Sequence, residues 1–346
     1  MMVALGVDAH KRSHTVVAAD GAGVEIGRIT VEATSEGHLR ALGWAGRFDE
    51  RCWAMEDSRA MTRRFESELM SAGELVVRVP PKMMAGQRRS ARTRGKSDPI
   101  DALAVARAAL REPDLPRAVL DGPSREVKLL VDYRENLVNE RTKLISSLRW
   151  RLHELIPENE PGPGKLTRYK TLDTVEKLLE PHTGLVADLA RKELARIREL
   201  TIEAKQLEQD LKPIVEQISP SLLGIVGCGT LTAAKLIGEA ADITRFKNRN
   251  AYAMWNGTAP IPVWSANNEK FRLNRGGNRQ TNAAIHRIAI TQIRCEPRAQ
   301  EIIRKQLAKG NTKKEATRAL KRRLADIVYK TMIKDTQQNQ ALPQAA

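Results

Sequence analysis

The sequence predicts an α/β domain at the N-terminus, a long helical insert, and a mainly helical C-terminal domain. Three observations predict it. Short apolar segments alternate with helical periodicity from Val3 to Val79, two long stretches with apolar residues three, four or seven apart fill the middle, and glycine-punctuated helical stretches rich in arginine and lysine fill the end. At 346 residues there is room for two or three domains and a substantial core.

The first domain reads as an ordered series. Val3 to Val7 is a buried strand, a polar turn covers Ala9 to Ser13, and His14 to Ala18 is a second strand, followed by a third from Val24 to Val31. Ser35 to Arg47 reads as a helix, Cys52 to Met55 as a strand, Ser58 to Ala72 as a helix and Leu75 to Val79 as a strand. Three hairpin-connected strands followed by alternating helix and strand is the RNase H-like, or Holliday-junction resolvase-like, order.

That order gives four distant acids a shared meaning. Asp8 ends the first, central strand, Glu56 ends the fourth beside it, and Asp98 and Asp101 open a helix running from Asp98 to Arg111. Either Glu56 or Asp57 could face the site. Two carboxylates within about 4 Å repel by roughly 4 kcal/mol at an effective dielectric near 20, so a cluster of four calls for cations such as two Mg²⁺ ions. Each acid also has a plainer role. Asp8 could start a turn, Asp98 before Pro99 makes a good helix N-cap, and Asp101 would favour the helix dipole.

In the middle, Leu130, Leu137 and Leu144 recur every seven residues and lead into Leu148, Leu152 and Leu155. Ile197, Leu200, Ala204, Leu207, Leu211, Ile214 and Ile218 alternate three and four apart. Two long helices follow, forming a hairpin within the chain or pairing with another chain. Gly164-Lys165-Leu166-Thr167 resembles a P-loop, but Asn159 stands where the first glycine is needed and Leu166 follows the lysine, which argues against ATP.

The C-terminal part carries Gly224, Gly227 and Gly229 between apolar helical stretches, like a helix-hairpin-helix whose amides at Gly227 and Gly229 could approach phosphate, or simply a tight connection. Next comes Asn256-Gly-Thr-Ala-Pro-Ile-Pro-Val-Trp-Ser265, then Arg272, Arg275 and Arg279, and a helix with His286 and Arg287. A hydroxyl among arginines suits phosphate binding, or attack on phosphorus with the arginines stabilising the added charge, or is an ordinary surface serine. The domains expected are 1–118, 119–219 and 220–335, with a flexible tail at 336–346.

Charge names the class of partner. The chain carries +16, and the segment from Arg245 to Asp335 holds 21 Lys or Arg against six Asp or Glu. A second basic run, Lys82, Arg88, Arg89, Arg92, Arg94 and Lys96, contains no acid and ends at Asp98. Both suit phosphate contacts. The absence of a long apolar run predicts a soluble, intracellular protein with no membrane segment. Cys52, Cys228 and Cys295 lack metal-ligand spacing and read as buried free thiols.

Taken together, these stretches resemble the IS-one-ten insertion-sequence family of DEDD-type transposases. The resemblance rests on Gly6-Val-Asp8-Ala-His-Lys, Ala54-Met-Glu56, Lys96-Ser-Asp98-Pro-Ile-Asp101-Ala, Gly224-Ile-Val-Gly-Cys-Gly-Thr-Leu-Thr-Ala and Gly257-Thr-Ala-Pro260-Ile-Pro-Val-Trp-Ser265, in the family's order. It implies that Asp8, Glu56, Asp98 and Asp101 hold Mg²⁺, and that Ser265, five residues after Pro260, attacks a DNA phosphodiester to form a covalent phosphoserine link. It also implies a homo-oligomer, a dimer or tetramer, and a noncoding bridge RNA pairing with the element ends and target DNA. Where the family often has Ser-Gly and then small or basic residues, Ser265 is followed by Ala-Asn-Asn-Glu. Two other readings stand beside it: a metal-dependent, Holliday-junction resolvase-like nuclease using activated water, and a noncatalytic basic scaffold.

Overall fold

The computed structural model describes residues 2–56, 59–80, 83, 97–112, 115–118, 122–265, 268–274 and 276–341. The chain forms two compact units, Met1–Asp121 and Gly122–Ala346.

The first unit contains β1 (Val3–Ala9), β2 (Ser13–Ala19), β3 (Glu25–Glu32), α1 (Ser35–Ala45), β4 (Arg51–Glu56), α2 (Arg59–Ser71), β5 (Val76–Val79) and α3 (Asp98–Arg111). The predicted series is present in order, with small shifts at the ends. Helix α1 stops at Ala45 rather than Arg47 because Gly46 takes the C-cap, while Thr34 Oγ1 accepts the Gly37 amide at 3.2 Å at its start. Ser97 rather than Asp98 takes the N-cap of α3, so Asp98 is already helical.

Tight turns make β1, β2 and β3 antiparallel, whereas α1 and α2 carry the chain back so that β4 and β5 run parallel to β1. The sheet order β3-β2-β1-β4-β5 is the RNase H-like arrangement expected. The two faces of this sheet are built from different residues. Leu5, Val7, Val16, Trp53 and Met55 pack against Phe65 and Leu69 of α2 and Ala41 and Ala45 of α1, each large side chain contributing about 1.5 to 3 kcal/mol. Small residues line the other face, where Ala4, Gly6 and Ala54 meet Val105 and Ala106 of α3. A Cβ on Gly6 would overlap the Ala102 carbonyl and Ala106 amide and lie 2.8 Å from Ala106 Cβ. Glycine there lets α3 lie against the central strand.

Among its described residues the second unit is helical apart from one hairpin: α4 (Pro123–Leu155), α5 (Tyr169–Leu179), α6 (Leu185–Ile218), α7 (Thr230–Ala240), α8 (Arg249–Trp255), β6 (Ile261–Ser265), β7 (Asn268–Arg272), α9 (Arg279–Cys295), α10 (Pro297–Ala308) and α11 (Lys313–Ala341). The long helices α4 and α6 pair within the chain. Arg134 Nε donates to the Ala204 carbonyl at 3.1 Å, Arg141 to Thr201 Oγ1 at 3.2 Å and Ser147 to Glu193 at 2.9 Å, so one helix rises as the other falls. Helix α5 closes one end of this hairpin through Leu172, Val175 and Leu179 against Leu148, Leu152 and Ile197. At the other end, Val127, Val131, Leu211 and Val215 join the core of α7, α9 and α11.

Two expectations change here. Residues 336–341 are helical rather than a loose tail, because α11 meets no breaker before Ala341 and Asn339 donates to the Ile218 carbonyl at 3.0 Å. Cys52 and Cys228 are buried, but Cys295 is exposed at the end of α9. Among the described residues no helix is long and apolar enough to cross a membrane.

Candidate acidic site and nucleic-acid interface

Strand parity selects which residues meet α3. Side chains alternate across a strand, so Asp8 follows Ala4 and Gly6 onto the α3 face. The parallel register pairs Gly6 with Ala54 and Val7 with Met55, which brings Glu56 to the position beside Asp8 on that face. The close approach at Gly6 draws the first turn of α3 toward the same strand end, and that turn carries exposed Asp98 and buried Asp101.

A histidine that the sequence reading did not assign sits among these acids. His10 Nε2 lies 3.1 Å from Asp8 Oδ2 and 3.5 Å from Asp98 Oδ1. Asp8, His10 and Asp98 each offer a ligand atom, all within 4.8 Å of one another. Its signal was the Asp-Ala-His spacing, since residues two apart at a strand end share a side. Burial raises the Asp8 carboxyl above its usual 3.8, the His10 contact opposes this, and Asp101 and Asp98 add to the rise by repulsion. A carboxylate held beside two others in a partly dry site gains from a cation, and the oxygen-rich donor set suits a hard divalent ion. Asp57 and the run Lys82, Arg88, Arg89, Arg92, Arg94 and Lys96 lie outside the described residues.

In the second unit the structure separates residues that sequence proximity joined. Ser265 is the last residue of β6 and pairs with Asn268 next to the hairpin turn, whereas Arg272 pairs with Ile261 at the hairpin's base. Four residues of strand separate those positions, about 13 Å of rise. Arg272 therefore does not flank Ser265, contrary to the expectation drawn from their order. Arg279 and Arg287 are exposed on α9, and Arg275 lies outside the described residues.

The base of the hairpin is firmly tied. Asn256 is fully buried and accepts from the Thr258 amide at 3.0 Å and hydroxyl at 2.7 Å. Gly277, at φ +91°, packs so closely that a Cβ would lie 2.5 Å from the Trp255 carbonyl. Asn278 caps α9 by accepting the Thr281 amide at 2.8 Å and donates to Glu239 at 2.6 Å, and Glu239 pairs with Lys128 at 2.7 Å. Gly227, at φ +86°, is taken up by packing: a Cβ would meet Thr291 Cβ at 2.8 Å on α9. Gly229 is exposed at the start of α7 with open space around it.

An RNase H-like sheet with acids at the end of its central strand, joined to a basic helical unit, defines an enzyme that works on nucleic acid. Residues 5–157 match the transposase family model for DEDD-type IS110 proteins, and residues 219–304 match the "Transposase IS116/IS110/IS902 family". The chain belongs to the IS110/IS116/IS902 family of transposases, DNA-cleaving and DNA-joining enzymes. The insertion element IS116 uncharacterized 44.8 kDa protein of Streptomyces clavuligerus is 23% identical over 381 residues, spanning 96% of this chain and 94% of that protein. The insertion element IS110 uncharacterized 43.6 kDa protein of Streptomyces coelicolor is 25% identical over 192 residues, spanning 54% of this chain and 47% of that protein. Among solved structures, T. thermophilus RuvC in complex with a Holliday junction substrate matches 34% of this chain and all of that one at 14% identity, with a TM-score of 0.28.

Proposed function

We propose that this transposase moves an insertion sequence by cutting and rejoining DNA with a Mg²⁺-dependent acidic site and a covalent serine intermediate, guided by a bridge RNA. The observation that carries the reading is the meeting of Asp8, His10 and Asp98 where β1 ends against the first turn of α3. Asp8, Glu56, Asp98 and Asp101 are the residues that would hold metal. When bound, Mg²⁺ neutralises their mutual repulsion and stabilises charge on the phosphate oxygens.

Ser265 Oγ forms a bond to phosphorus while a bridging P–O bond breaks, and one DNA end leaves as a hydroxyl, its oxygen taking up through solvent the proton that the serine gives up. Attack by a hydroxyl of another strand then reverses the exchange and joins new ends. With Arg272 away from Ser265 along the hairpin, the stabilising charge for that step is not the arginine of β7. The surplus of cations from Arg245 to Asp335 supports phosphate contacts to DNA and RNA, with Arg272, Arg275, Arg279 and Arg287 among them. The protein acts as a homo-oligomer.

A nicked suicide substrate, incubated with protein and Mg²⁺ and followed by peptide mass spectrometry, tests the chemistry. The expected result is a nucleotide on Ser265, absent from Ser265→Ala and from Asp8→Asn, each of which still binds DNA. Adduct on another residue removes the serine assignment. Efficient cleavage without any adduct makes the enzyme a nuclease that uses activated water. For the guide, a discrete RNA that copurifies should direct which DNA is joined, and joining that is unchanged after its removal would discard that part.

A further inference from the structure

The second unit contains a cleft that neither the acidic site nor the serine accounts for. It lies between the base of the β6–β7 hairpin and the first turns of α11, with a volume of about 620 Å³. Its wall is cationic, formed by Arg272, Arg318, Lys321, Arg322 and Arg323. Among the described residues Glu315 is the one carboxylate lining it, and that group is spent on the start of α11, accepting the Thr312 amide at 2.8 Å and hydroxyl at 2.7 Å. Arg322 is also engaged, with Asp326 and with Asn250 Oδ1 at 2.7 Å. Arg318, Lys321 and Arg323 form no ion pair among the described residues.

Lys321 is the most exacting member of this set. It is half-buried, donates to Asn282 Oδ1 at 2.5 Å, and stands where the cleft adjoins a second hollow of about 480 Å³. Burial draws its ammonium below the usual lysine range. A cation that has lost water and gained only an amide oxygen benefits strongly from an anion placed beside it.

One more feature narrows the ligand. Phe271 lines the cleft and is 60% exposed, and Trp264 is 68% exposed. The register pairs Phe271 with Pro262 and Trp264 with Glu269, so the two rings share one face of the hairpin, two positions or about 7 Å apart. Aromatic rings in series beside a groove of cations make a stacking track for unpaired bases. The cleft's volume suits one small ligand rather than a duplex. The nearby amides are already committed, since Asn282 Nδ2 donates to the Asn256 carbonyl at 2.8 Å and Asn274 Oδ1 accepts the Gly276 amide at 2.9 Å. Recognition there should be tolerant of sequence.

We infer that this cleft holds one unpaired nucleotide of a single-stranded nucleic acid, its base against Phe271 and its phosphate on Arg318, Lys321 and Arg323, with Trp264 receiving the neighbouring base. The inference rests on the transposase reading and adds to it a seat for a single strand outside the acidic site and the serine.

The experiment uses the full-length protein and fluorescence anisotropy with a short oligo(dT), an oligo(rU) of equal length and a duplex of that length. Phe271→Leu should weaken the single strands about tenfold and leave the duplex nearly unchanged. It should also abolish the quenching of a 2-aminopurine placed in the oligonucleotide. Arg318→Ala with Arg323→Ala should lower the single-strand salt slope by about 0.7 for each phosphate no longer neutralised. Equal losses on oligo(dT) and oligo(rU) support a seat indifferent to the sugar, and loss on one of them supports the seat and names the strand it takes. Single-strand binding unchanged in both variants, or lost equally on the duplex, overturns the inference. Covalent cleavage of the suicide substrate is scored separately, so failure of the transposase chemistry and failure of the cleft read out in different assays.

Discussion

The acidic site and the serine stand on supports of opposite kinds. Asp8, Asp98 and Asp101 are fixed by a sheet and a helix packed without room for one methyl group at Gly6, so their positions follow from strand parity and close packing. Ser265 ends a strand of a two-stranded ribbon whose base is held by Asn256, Gly277 and Asn278 while its far end is not part of a larger sheet. The lesson is that the proposed metal site is set by the fold itself, whereas the serine proposed as nucleophile, on a ribbon end, is set by whatever the ribbon meets.

Glycine substitution breaks that comparison open most directly and should have the largest effect. Gly6→Ala forces α3 off β1, because the added Cβ meets backbone and not a movable side chain. The first unit should lose about 1 to 3 kcal/mol of stability, and DNA cleavage should fall more than about a hundredfold as the first turn of α3 withdraws its acids. Gly229→Ala in the second unit meets open space at φ −77° and should change stability by under about 1 kcal/mol. Urea unfolding together with cleavage rates checks both, and normal cleavage by Gly6→Ala would mean that α3 does not position the acids.

How far the sequence discloses each region follows the same division. The strands of the first unit are legible because apolar runs separated by a polar turn have few other solutions, and the parity that places Gly6 and Asp8 together is a property of any strand. His10 escapes notice because a histidine just past a strand reads as part of the turn. In the second unit, α5 is missed although Leu172, Val175 and Leu179 have helical spacing, being a short element between two longer ones. The neighbourhood of Ser265 is misread for a physical reason. A hairpin reverses the chain, so the residues next in sequence pair backwards and Arg272 arrives opposite Ile261. The cleft cations Arg318, Lys321 and Arg323 are visible as charge, but that they form no ion pair among the described residues depends on tertiary contacts.

Acid should separate the two units next, with a somewhat smaller effect. His14 is 2% exposed, in a three-ring cluster with His38 and Phe65, and burial followed by the neighbouring His38 lowers it from 6.5 to about 4. The unfolded chain therefore takes up this proton first as pH falls, so the first unit loses stability from about pH 6.5 down to about pH 4 and no further from this group. The full loss is at most about 3 kcal/mol. Hydrogen exchange at several pH values should show the first unit opening earlier, and His14→Phe, which keeps a flat ring in the stack, should flatten that dependence. Equal pH dependence in wild type and His14→Phe would assign the acid sensitivity to other groups.

The smallest effect tests how much of the acidic site belongs to its histidine. His10 is within 3.1 Å of Asp8 and 3.5 Å of Asp98, yet its side chain is about half exposed, so it adds a contact to carboxylates that the fold already positions. Replacing it should loosen the site rather than erase it. His10→Asn should raise the Mg²⁺ concentration for half-maximal cleavage about tenfold, the lower end of what a supporting group contributes at a metal site, and leave the rate at saturating Mg²⁺ within about threefold. Asp8→Asn should not be rescued at any Mg²⁺ concentration. The two titrations, run side by side on the suicide substrate, separate a ligand from its support. If His10→Asn were as inactive as Asp8→Asn at saturating metal, His10 would be an essential member of the site, and the packing of β1 against α3 would no longer account for the site's geometry by itself.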